Sequence, residues 1–363
     1  MNPREMTKRE TVAHITELLR KKGGMNAADE YFFGQIAYYV ERSIIADIRD
    51  RQSRIPGLRV SGHGCKAVWG GELTPGCRTC LDGTGLWSIR ATNSCNLDCD
   101  FCYCKGLPIP DLLDDHFKIA NSGYLTSNDI KIIIDKQGSS LDGIAWVSFE
   151  PFTQFEKHLE LIEYLNGKGI HQWIYTNGTL LTEERMKRLQ AAGLDEIRFN
   201  LAASKCSLKV IKTIALARQY FKYLCVESPM TPDFLTSFIK KKNRILDTGI
   251  DQINCAELHV NANNAANYLG EALYGFKYGY ISPVSSRNAT YDLMQMAADE
   301  GWQGITINDC SNETKFYRGV RKGLTFGEID YGPEWHLPAD WYFDAIENYP
   351  ICTDFEHKRL GAR

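Results

Sequence analysis

From Leu86 onward, short runs rich in β-branched and aromatic residues alternate with segments of helical periodicity. The runs are Leu86–Ala91, Ile144–Phe149, His171–Tyr175, Glu196–Leu201, Tyr223–Val226, Gln252–Leu258 and Gly304–Ile307. Such alternation is typical of βαβ units, whose strands lie side by side in a parallel sheet. The successive units predict an α/β fold, a partial (βα)6 TIM-like barrel that corresponds to three quarters of a closed eight-unit barrel.

One of the intervening helices carries clear signals at both ends. Thr182 can cap its first turn, Glu183 and Glu184 suit the positive end of the helix dipole, and Gly193 can close the last turn. The next strand begins a few residues later, as a short αβ connection requires. The pattern therefore predicts a helix between the third and fourth strands.

The rest of the chain is predicted to flank this barrel. Residues 1–56 have helical periodicity broken at Gly23-Gly24 and predict a helical extension. Residues 57–85 are rich in Gly and Cys and predict an insert without regular secondary structure, shaped by a metal. We expect the barrel to span residues 86–310 and residues 311–363, which are rich in aromatics, to form a cap that excludes water.

The charge balance argues against a nucleic-acid partner. The formal net charge is −3, and the cluster Lys240–Arg244 is typical of a solvated helix face. The first 22 residues contain no apolar run that could form a signal peptide or a membrane span, so we expect a cytoplasmic protein without membrane contact. Twelve cysteines in that reducing compartment indicate metal ligands or reactive thiols rather than disulfides.

Three cysteines follow the first predicted strand at CxxxCxxC spacing: Cys95, Cys99 and Cys102. Such a trio can reach three corners of one iron–sulfur cube and leave the fourth iron open, whereas most clusters have four thiolate ligands. A zinc knuckle or incidental thiols are the alternatives. A zinc site usually takes four ligands in CxxC-type pairs, so the trio favours a cluster whose open iron binds another molecule.

With Asn96 after its first cysteine and Phe101 before its third, the trio resembles the signature of the radical S-adenosylmethionine (SAM) superfamily. The resemblance implies a [4Fe-4S] cluster whose open iron is chelated by the methionine part of SAM. It also implies reductive cleavage of SAM to a 5′-deoxyadenosyl radical, which abstracts hydrogen from a small-molecule or peptide substrate. A flavodoxin- or ferredoxin-type reductant would then be a partner.

Two further segments resemble the family at the ends of the second and third strands. Ser148-Phe149-Glu150-Pro151 is similar to a Gly-Gly-Glu-Pro segment whose backbone pairs with the methionine ammonium, although Ser148 and Phe149 replace both glycines. Asn177 lies in a Thr-Asn-Gly sequence that follows the third strand in many relatives. The resemblance implies that these residues contribute to cofactor binding.

The fourth and fifth strands end in residues that the resemblance assigns to the nucleoside of SAM. Asn200 matches a polar residue that contacts the ribose, and Ser204 is its neighbour. Glu227 and Ser228 precede a proline in a turn similar to the one beside the adenine. The resemblance spans about Leu86 to Leu258, and its motifs fall in order on successive strands.

A second cysteine group lies upstream, where Cys77 and Cys80 form a CxxC and Cys65 could add a third ligand. The spacing predicts an auxiliary metal site, either a second [4Fe-4S] cluster or structural zinc, because both accept tetrahedral sulfur. Unligated or redox-active thiols are the other alternative. The fourth ligand stays open among Cys104, Cys310, Cys352, His63 and a substrate group.

Cys310 follows the last predicted strand and could face the barrel mouth. A thiol there could donate a hydrogen atom to a substrate radical, as in some radical SAM epimerases. The alternative is a buried structural cysteine, since free cysteines are among the most buried residues.

Two rival functions fit parts of the sequence. One is a radical SAM enzyme that transfers the methyl or aminocarboxypropyl group of SAM. The other is a non-catalytic iron–sulfur or zinc scaffold, such as an electron carrier. The series of SAM-like motifs on strands two to five argues against the scaffold, which does not need them.

Overall fold

The computed structural model describes residues 47–61, 66–82, 85–104, 112, 114–119, 123–137, 140–260, 264–268, 271, 273–276 and 280–315. The predicted aromatic cap beyond residue 315, most of the amino-terminal extension, and Cys65 lie outside the described residues.

The described residues build an eleven-stranded sheet in the order β1-β2-β13-β10-β9-β8-β7-β6-β3-β4-β5 and a separate β11-β12 hairpin. The strands are β1 (Leu58–Ser61), β2 (Lys66–Gly70), β3 (Leu86–Arg90), β4 (His116–Ile119), β5 (Gly123–Thr126), β6 (Gly143–Trp146), β7 (His171–Thr176), β8 (Glu196–Phe199), β9 (Tyr223–Pro229), β10 (Gln252–Ala256), β11 (Leu273–Phe276), β12 (Tyr280–Pro283) and β13 (Thr306–Cys310). The helices are α1 (Pro75–Asp82), α2 (Ser127–Gln137), α3 (Phe155–Leu165), α4 (Glu183–Ala191), α5 (Leu208–Ala217), α6 (Pro232–Ile239), α7 (Lys242–Leu246) and α8 (Val284–Asp299).

The predicted α/β architecture is confirmed. Strands β3, β6, β7, β8, β9, β10 and β13 are parallel neighbours in that order, in an open sheet consistent with a partial barrel. The late run at Gly304–Ile307 corresponds to β13, so the parallel series has seven strands, one more than six βα units supply. Their carboxyl ends share one edge of the sheet, where a barrel of this type places its chemistry.

Apolar residues explain why helices pack on one face of this sheet. In β9, Leu224 and Val226 are fully buried in a core that also contains Val210 and Ile214 of α5 and Phe234 of α6. Successive strand residues point to opposite faces, so the residues between them face the interior of the partial barrel.

The sequence signals of α4 are also confirmed. Thr182 is its N-cap, and the hydroxyl accepts a hydrogen bond from the amide of Arg185 at 3.3 Å. Glu183 and Glu184 lie in the first turn, and Gly193 follows the helix with φ of 89°. A left-handed residue of this kind ends a helix at little cost when it is glycine.

Both edges of the parallel series are covered by antiparallel hairpins. The β4-β5 hairpin pairs with β3, and the β1-β2 hairpin pairs with β13. The prediction that residues 57–85 lack regular structure is therefore wrong. Ala67, Val68 and Trp69 of β2 are buried. This short apolar strand pairs with β13, which lies far away in the sequence, and the pairing provides both its backbone hydrogen bonds and its burial.

Helix α1, the rest of this segment, lies on the interior face of the sheet near the amino ends of the strands. The amide of Thr74 donates to Gln252 of β10 at 2.8 Å, and the amide of Gly76 donates to Glu196 of β8 at 2.9 Å. A Cβ on Gly76 would lie 2.5 Å from the Arg198 guanidinium, so only glycine permits this approach. The helix therefore closes the end of the barrel opposite the strand carboxyl ends.

Gly70 is expected to be critical for docking β2 onto the sheet. Its φ is 84°, and a Cβ there would lie 2.2 Å from the carbonyl oxygen of Ile305. We expect Gly70→Ala to lower the free energy of unfolding by about 2–4 kcal/mol, the sum of left-handed strain and overpacking. Gly123→Ala is the matched control, because Gly123 has φ of 87° and nothing within 4 Å of the added Cβ. Equal losses in urea unfolding for the two variants would contradict the steric clash.

The helical residues 47–54 are attached to the barrel by buried ions. Arg287 of α8 donates to Asp309 at 3.0 Å and to Glu313 at 2.9 Å, and Arg49 also pairs with Glu313. Despite the opposing effect of burial, these two arginines lower the pKa of Glu313. Two guanidinium groups thus balance two buried carboxylates.

Among the described residues, every helix is too short or too polar to cross a bilayer.

Candidate active site

The three signature cysteines lie on the loop that leaves β3 at the carboxyl edge of the sheet. Cys95 is exposed, Cys99 and Cys102 are partly buried, and the amide of Cys102 donates to the carbonyl of Cys99 at 3.0 Å. Asn264 and Asn267, which follow β10, donate to carbonyl oxygens of this loop at 3.0 and 2.7 Å. The loop is thus held by the segment that follows β10.

The chemistry of these thiols fits an iron–sulfur cube. Burial, and then the neighbouring Cys102 and Cys95 thiols, raise the pKa of Cys99 to about 12. Three thiolates in this loop therefore need a compensating positive charge, which iron provides. No three His, Cys, Asp or Glu side chains in the described ranges converge to hold a single metal ion. A cube differs in this respect, because each thiolate binds a different iron.

The turn after β6 adopts a glycine-like conformation without glycine. Ser148 has φ of 68° and Phe149 has φ of 54°, both in the left-handed region that other residues rarely adopt. The amide of Glu150 then donates to the carbonyl of Ser94 at 3.1 Å, which joins this turn to the cysteine loop. The turn therefore adopts, without glycine, a conformation that glycine favours, at a cost in strain.

Relief of this strain gives a measurable prediction. We expect Ser148→Gly to raise the free energy of unfolding by about 1 kcal/mol, because the left-handed penalty exceeds the entropy that glycine adds to the unfolded chain. Ser148→Ala keeps the penalty and serves as the control. Urea unfolding of the two variants measures the difference, and equal stabilities would show that the turn carries no such strain.

Glu150 is buried and connects two strand ends. Its carboxylate accepts hydrogen bonds from the Thr176 hydroxyl at 2.9 Å, the Asn177 amide at 2.7 Å and the Phe152 amide at 3.2 Å. Burial raises the pKa of Glu150 in spite of these three donors. Its side chain thus fixes the turns after β6 and β7, and only its backbone is directed to the cysteine loop.

Asn177 brings the turn after β7 to the same loop. Its side-chain nitrogen Nδ2 lies 2.9 Å from Oδ1 of Asn96 and 3.9 Å from Sγ of Cys95. The structure therefore places Glu150, Asn177 and the first cysteine together, as the order of the motifs predicts.

Asn200 and Ser204 lie at the end of β8, where each makes a local contact. Oδ1 of Asn200 accepts from the amide of Ala203 at 3.1 Å, and the Ser204 hydroxyl donates to the carbonyl of Leu201 at 3.2 Å. Both residues are partly exposed at this edge. Their predicted contact with the ribose stays a prediction.

Glu227 and Ser228 point to opposite faces of β9. Glu227 faces the interior and accepts from Nη1 of Arg198 at 2.7 Å. Ser228 is buried on the other face, where its hydroxyl accepts from the amide of Ala202 at 3.2 Å. Of the pair, the structure brings only the Glu227 side chain to the interior of the barrel.

An interior charge cluster around Arg198 is absent from the sequence predictions. Arg198 and Glu196 are each at most 2% exposed, and the guanidinium Nη2 lies 2.6 Å from the carboxylate Oε1. The ring of His171 is 2.8 Å from the same carboxylate, and the Arg198 guanidinium lies 5.4 Å from the ring centroid of Trp173. The alternation Glu-Ile-Arg-Phe-Asn in a strand of a parallel sheet was the available signal, because alternate residues must face the interior.

The environment of Glu196 explains how it stays ionised. Burial opposes its charge, but Arg198, His171 and the amide of Gly76 together lower the pKa of Glu196 to about 2. The carboxylate also accepts from the Thr74 hydroxyl at 3.0 Å. A buried carboxylate so fully paired is a structural anchor between α1 and β8.

The predicted auxiliary ligands do not all meet in the described part of the chain. Cys65 lies outside it. Cys77 is buried in α1, where Sγ accepts from Gln252 at 3.0 Å and donates to Asn254 at 3.6 Å. Burial raises the pKa of the Cys77 thiol to about 12, while Cys80 is partly exposed. The auxiliary cluster or zinc stays a prediction.

Cys310 is the last residue of β13, paired in register with Ala256 of β10. It is partly exposed, and burial raises the pKa of its thiol to about 11, so the neutral S–H form dominates at neutral pH. A neutral thiol is the form that can donate a hydrogen atom. Its predicted role as donor stays a prediction.

Comparisons with known proteins agree with this geometry. The family model described as "Radical SAM superfamily" matches residues 89–223, which include the cysteine loop and strands β6 to β8. The chain is 26% identical to uncharacterized protein MJ0804 of Methanocaldococcus jannaschii, over 61% of this chain and 73% of that protein. It is 24% identical to the putative glycyl-radical enzyme activating enzyme MJ0021 of the same organism, over 53% of this chain and 52% of that protein. The chain thus spans about half the length of the second relative.

Among solved structures, SuiB of Streptococcus suis aligns over 89% of this chain and 69% of its own, with 13% identity and a TM-score of 0.43. The family match and the cysteine loop at the carboxyl edge of the sheet show that residues 89–223 form a domain of the radical SAM superfamily.

Proposed function

We propose that this protein is an enzyme that uses a [4Fe-4S] cluster to cleave SAM reductively and to abstract hydrogen from a substrate. One observation carries the proposal: the loop of Cys95, the turn of Glu150 and the turn of Asn177 are joined by hydrogen bonds at the carboxyl edge of the parallel sheet. The match of residues 89–223 to the radical SAM family supports the cofactor chemistry, which would be the formation of a 5′-deoxyadenosyl radical when cluster and SAM are bound.

The chain's own residues hold and orient the cofactor. In the proposed arrangement Cys95, Cys99 and Cys102 ligate the cluster. The backbone polar groups at Ser148 and Phe149 would receive the methionine end of SAM, because the amide of the following Glu150 joins this left-handed turn to the cysteine loop. Holding both reactants in one geometry is the main contribution that a protein makes to such a reaction.

The nucleoside and the substrate would lie across the remaining strand ends. Asn200 and Ser204 flank β8, and Glu227 is the interior carboxylate of β9. Arg198 fixes the Glu227 side chain from below, so this acceptor is pre-organised for a hydroxyl or an amine. Cys310 lies across the mouth on β13, at a position suited to a hydrogen donor.

Helix α1 lies at the end of the barrel opposite the strand carboxyl ends, and this arrangement supports radical chemistry. Helix α1 fills the interior below Arg198, with the amide of Gly76 and the hydroxyl of Thr74 bonded to Glu196. Water is thereby kept out from this side, which limits side reactions of a radical. The substrate would therefore enter from the strand carboxyl ends.

The substrate class is proposed as a small molecule or a peptide, and the partner as a flavodoxin- or ferredoxin-type reductant. The name of one relative, a putative glycyl-radical enzyme activating enzyme, concerns a protein substrate. Transfer of the methyl or aminocarboxypropyl group of SAM is the second candidate reaction within the family, and a non-catalytic scaffold is the third.

One anaerobic assay tests the proposal. The protein is reconstituted with iron and sulfide, reduced with dithionite and incubated with SAM, and the nucleoside products are separated by chromatography. 5′-Deoxyadenosine is the expected product. Methylthioadenosine would indicate aminocarboxypropyl transfer and S-adenosylhomocysteine would indicate methyl transfer. Intact SAM beside a formed cluster, with candidate substrates present, would indicate a scaffold.

A further inference from the structure

We propose that Asn177 donates a hydrogen bond to the sulfur of Cys95 and thereby raises the reduction potential of the cluster that this cysteine ligates. The inference rests on the proposed function and deepens it, since it gives a residue outside the cysteine trio a defined electronic role. Asn177 acts here as a positioning residue, because it acts on the cluster through Cys95.

The orientation of the Asn177 amide is fixed by its partners. Its oxygen Oδ1 accepts from both the amide and the hydroxyl of Thr179, at 2.9 and 2.6 Å. The Thr179 amide can only donate, so exchange of the oxygen with the nitrogen would lose this bond and set two donors against each other. Nδ2 must therefore face the cysteine loop.

Both hydrogens of Nδ2 have acceptors in that loop. One is directed to Oδ1 of Asn96 at 2.9 Å, and the other to Sγ of Cys95 at 3.9 Å. Asn96 in turn donates from its own nitrogen to the Thr179 hydroxyl at 2.8 Å. Asn177, Asn96 and Thr179 thus form a closed ring of hydrogen bonds that leaves one Asn177 hydrogen for the sulfur.

The ring is anchored to the core of the protein. The backbone amide of Asn177 donates to the fully buried carboxylate of Glu150 at 2.7 Å, and the Thr176 hydroxyl donates to the same group. The same Thr176 hydroxyl also accepts a hydrogen bond from the amide of Gly178 at 3.0 Å. A donor held from both sides loses little entropy when it bonds the sulfur, so its effect on the thiolate persists.

The sign of the effect follows from charge. One-electron reduction adds negative charge to the cluster and its thiolates, and a donor to sulfur stabilises the more negative state. Loss of that donor therefore makes reduction harder. We expect a tenfold change in the one-electron reduction equilibrium, which corresponds to about 59 mV.

Asn177→Asp is the sharpest test, because it keeps the shape and the acceptor for Thr179 while it removes the donor. An EPR-monitored redox titration of the reconstituted protein, without SAM, measures the midpoint potential. We expect a fall of about 59 mV or more relative to the unchanged protein. Asn96→Asp is the matched control, because it adds the same negative charge beside Cys95 while it keeps the acceptor for Asn177, and it should lower the potential less than Asn177→Asp does.

Two further measurements keep the test decisive. Thr179→Val removes one anchor of the ring and should shift the potential less than Asn177→Asp does. If Asn177→Asp retains no cluster, resonance Raman spectra of the unchanged protein in H2O and D2O are compared instead. An isotope shift in an iron–thiolate stretching mode that Asn177→Ser abolishes is the expected result.

The outcomes separate this inference from the proposed function. Equal potentials in Asn177→Asp and the unchanged protein, or iron–thiolate modes insensitive to deuterium, would overturn the role of Asn177 and leave SAM cleavage intact. Failure of the unchanged protein to assemble a redox-active cluster would instead overturn the proposed function.

Discussion

Replacement of Cys95, Cys99 and Cys102 together by alanine is expected to abolish the SAM cluster and to reduce 5′-deoxyadenosine formation at least about 10³-fold, or roughly 4 kcal/mol in the barrier. In the proposed site each thiolate would hold a different iron, so the triple variant would lack all three loop ligands of the cluster. The anaerobic nucleoside assay measures the loss, and EPR of the reduced protein measures the cluster.

The control for this experiment is Cys206→Ala, because Cys206 is fully buried near Lys241 and is not part of the CxxxCxxC segment. It should retain both cluster and activity. Iron that remains in the triple variant would report on the second site predicted at Cys65, Cys77 and Cys80. Product formation equal to that of the Cys206 control would contradict the assignment of the trio.

The second large effect concerns stability. Arg198→Leu is expected to lower the free energy of unfolding by about 3–5 kcal/mol at pH 7, since it leaves the buried carboxylate of Glu196 and the partly buried carboxylate of Glu227 without their guanidinium partner. Denaturant unfolding followed by circular dichroism measures the change. Arg188→Leu, which removes an exposed bidentate pair with Glu156, should cost less than about 1 kcal/mol.

The pH dependence of this loss has a defined sign. The folded-state pKa of Glu196 is about 2, below its ordinary value of 4.5. Its pairing therefore contributes stability above about pH 4.5 and loses that contribution as the pH falls toward 2. The difference between Arg198→Leu and the unchanged protein should be full at pH 7 and smaller at pH 3.5. A loss no larger than that of Arg188→Leu at pH 7 would show that Arg198 does not neutralise the cluster.

At Ser148 and Phe149 the backbone conformation is not the one that the residue types favour. The sequence departs from a motif with two glycines, yet both residues adopt the left-handed conformation that glycine favours. Next to them, the Glu150 amide donates to the cysteine loop and the Glu150 carboxylate accepts from the turn after β7, so the chain that leaves this turn is held by tertiary contacts. Tertiary contacts here override a local preference.

The sequence by itself determined the strand–helix alternation, the caps of α4 and the cysteine loop at the first strand end, because periodicity, capping and ligand spacing act over a few residues. Only the tertiary structure decided the pairing of β1 with β2 and of β2 with β13, the burial of Cys77, the ion cluster of Arg198 and the contact of Asn177 with Cys95. These features join residues far apart in the chain, such as Thr74 and Glu196, which are 122 positions apart. Contacts of that kind depend on strand register and on which face each side chain occupies, and local sequence patterns do not specify either across a sheet.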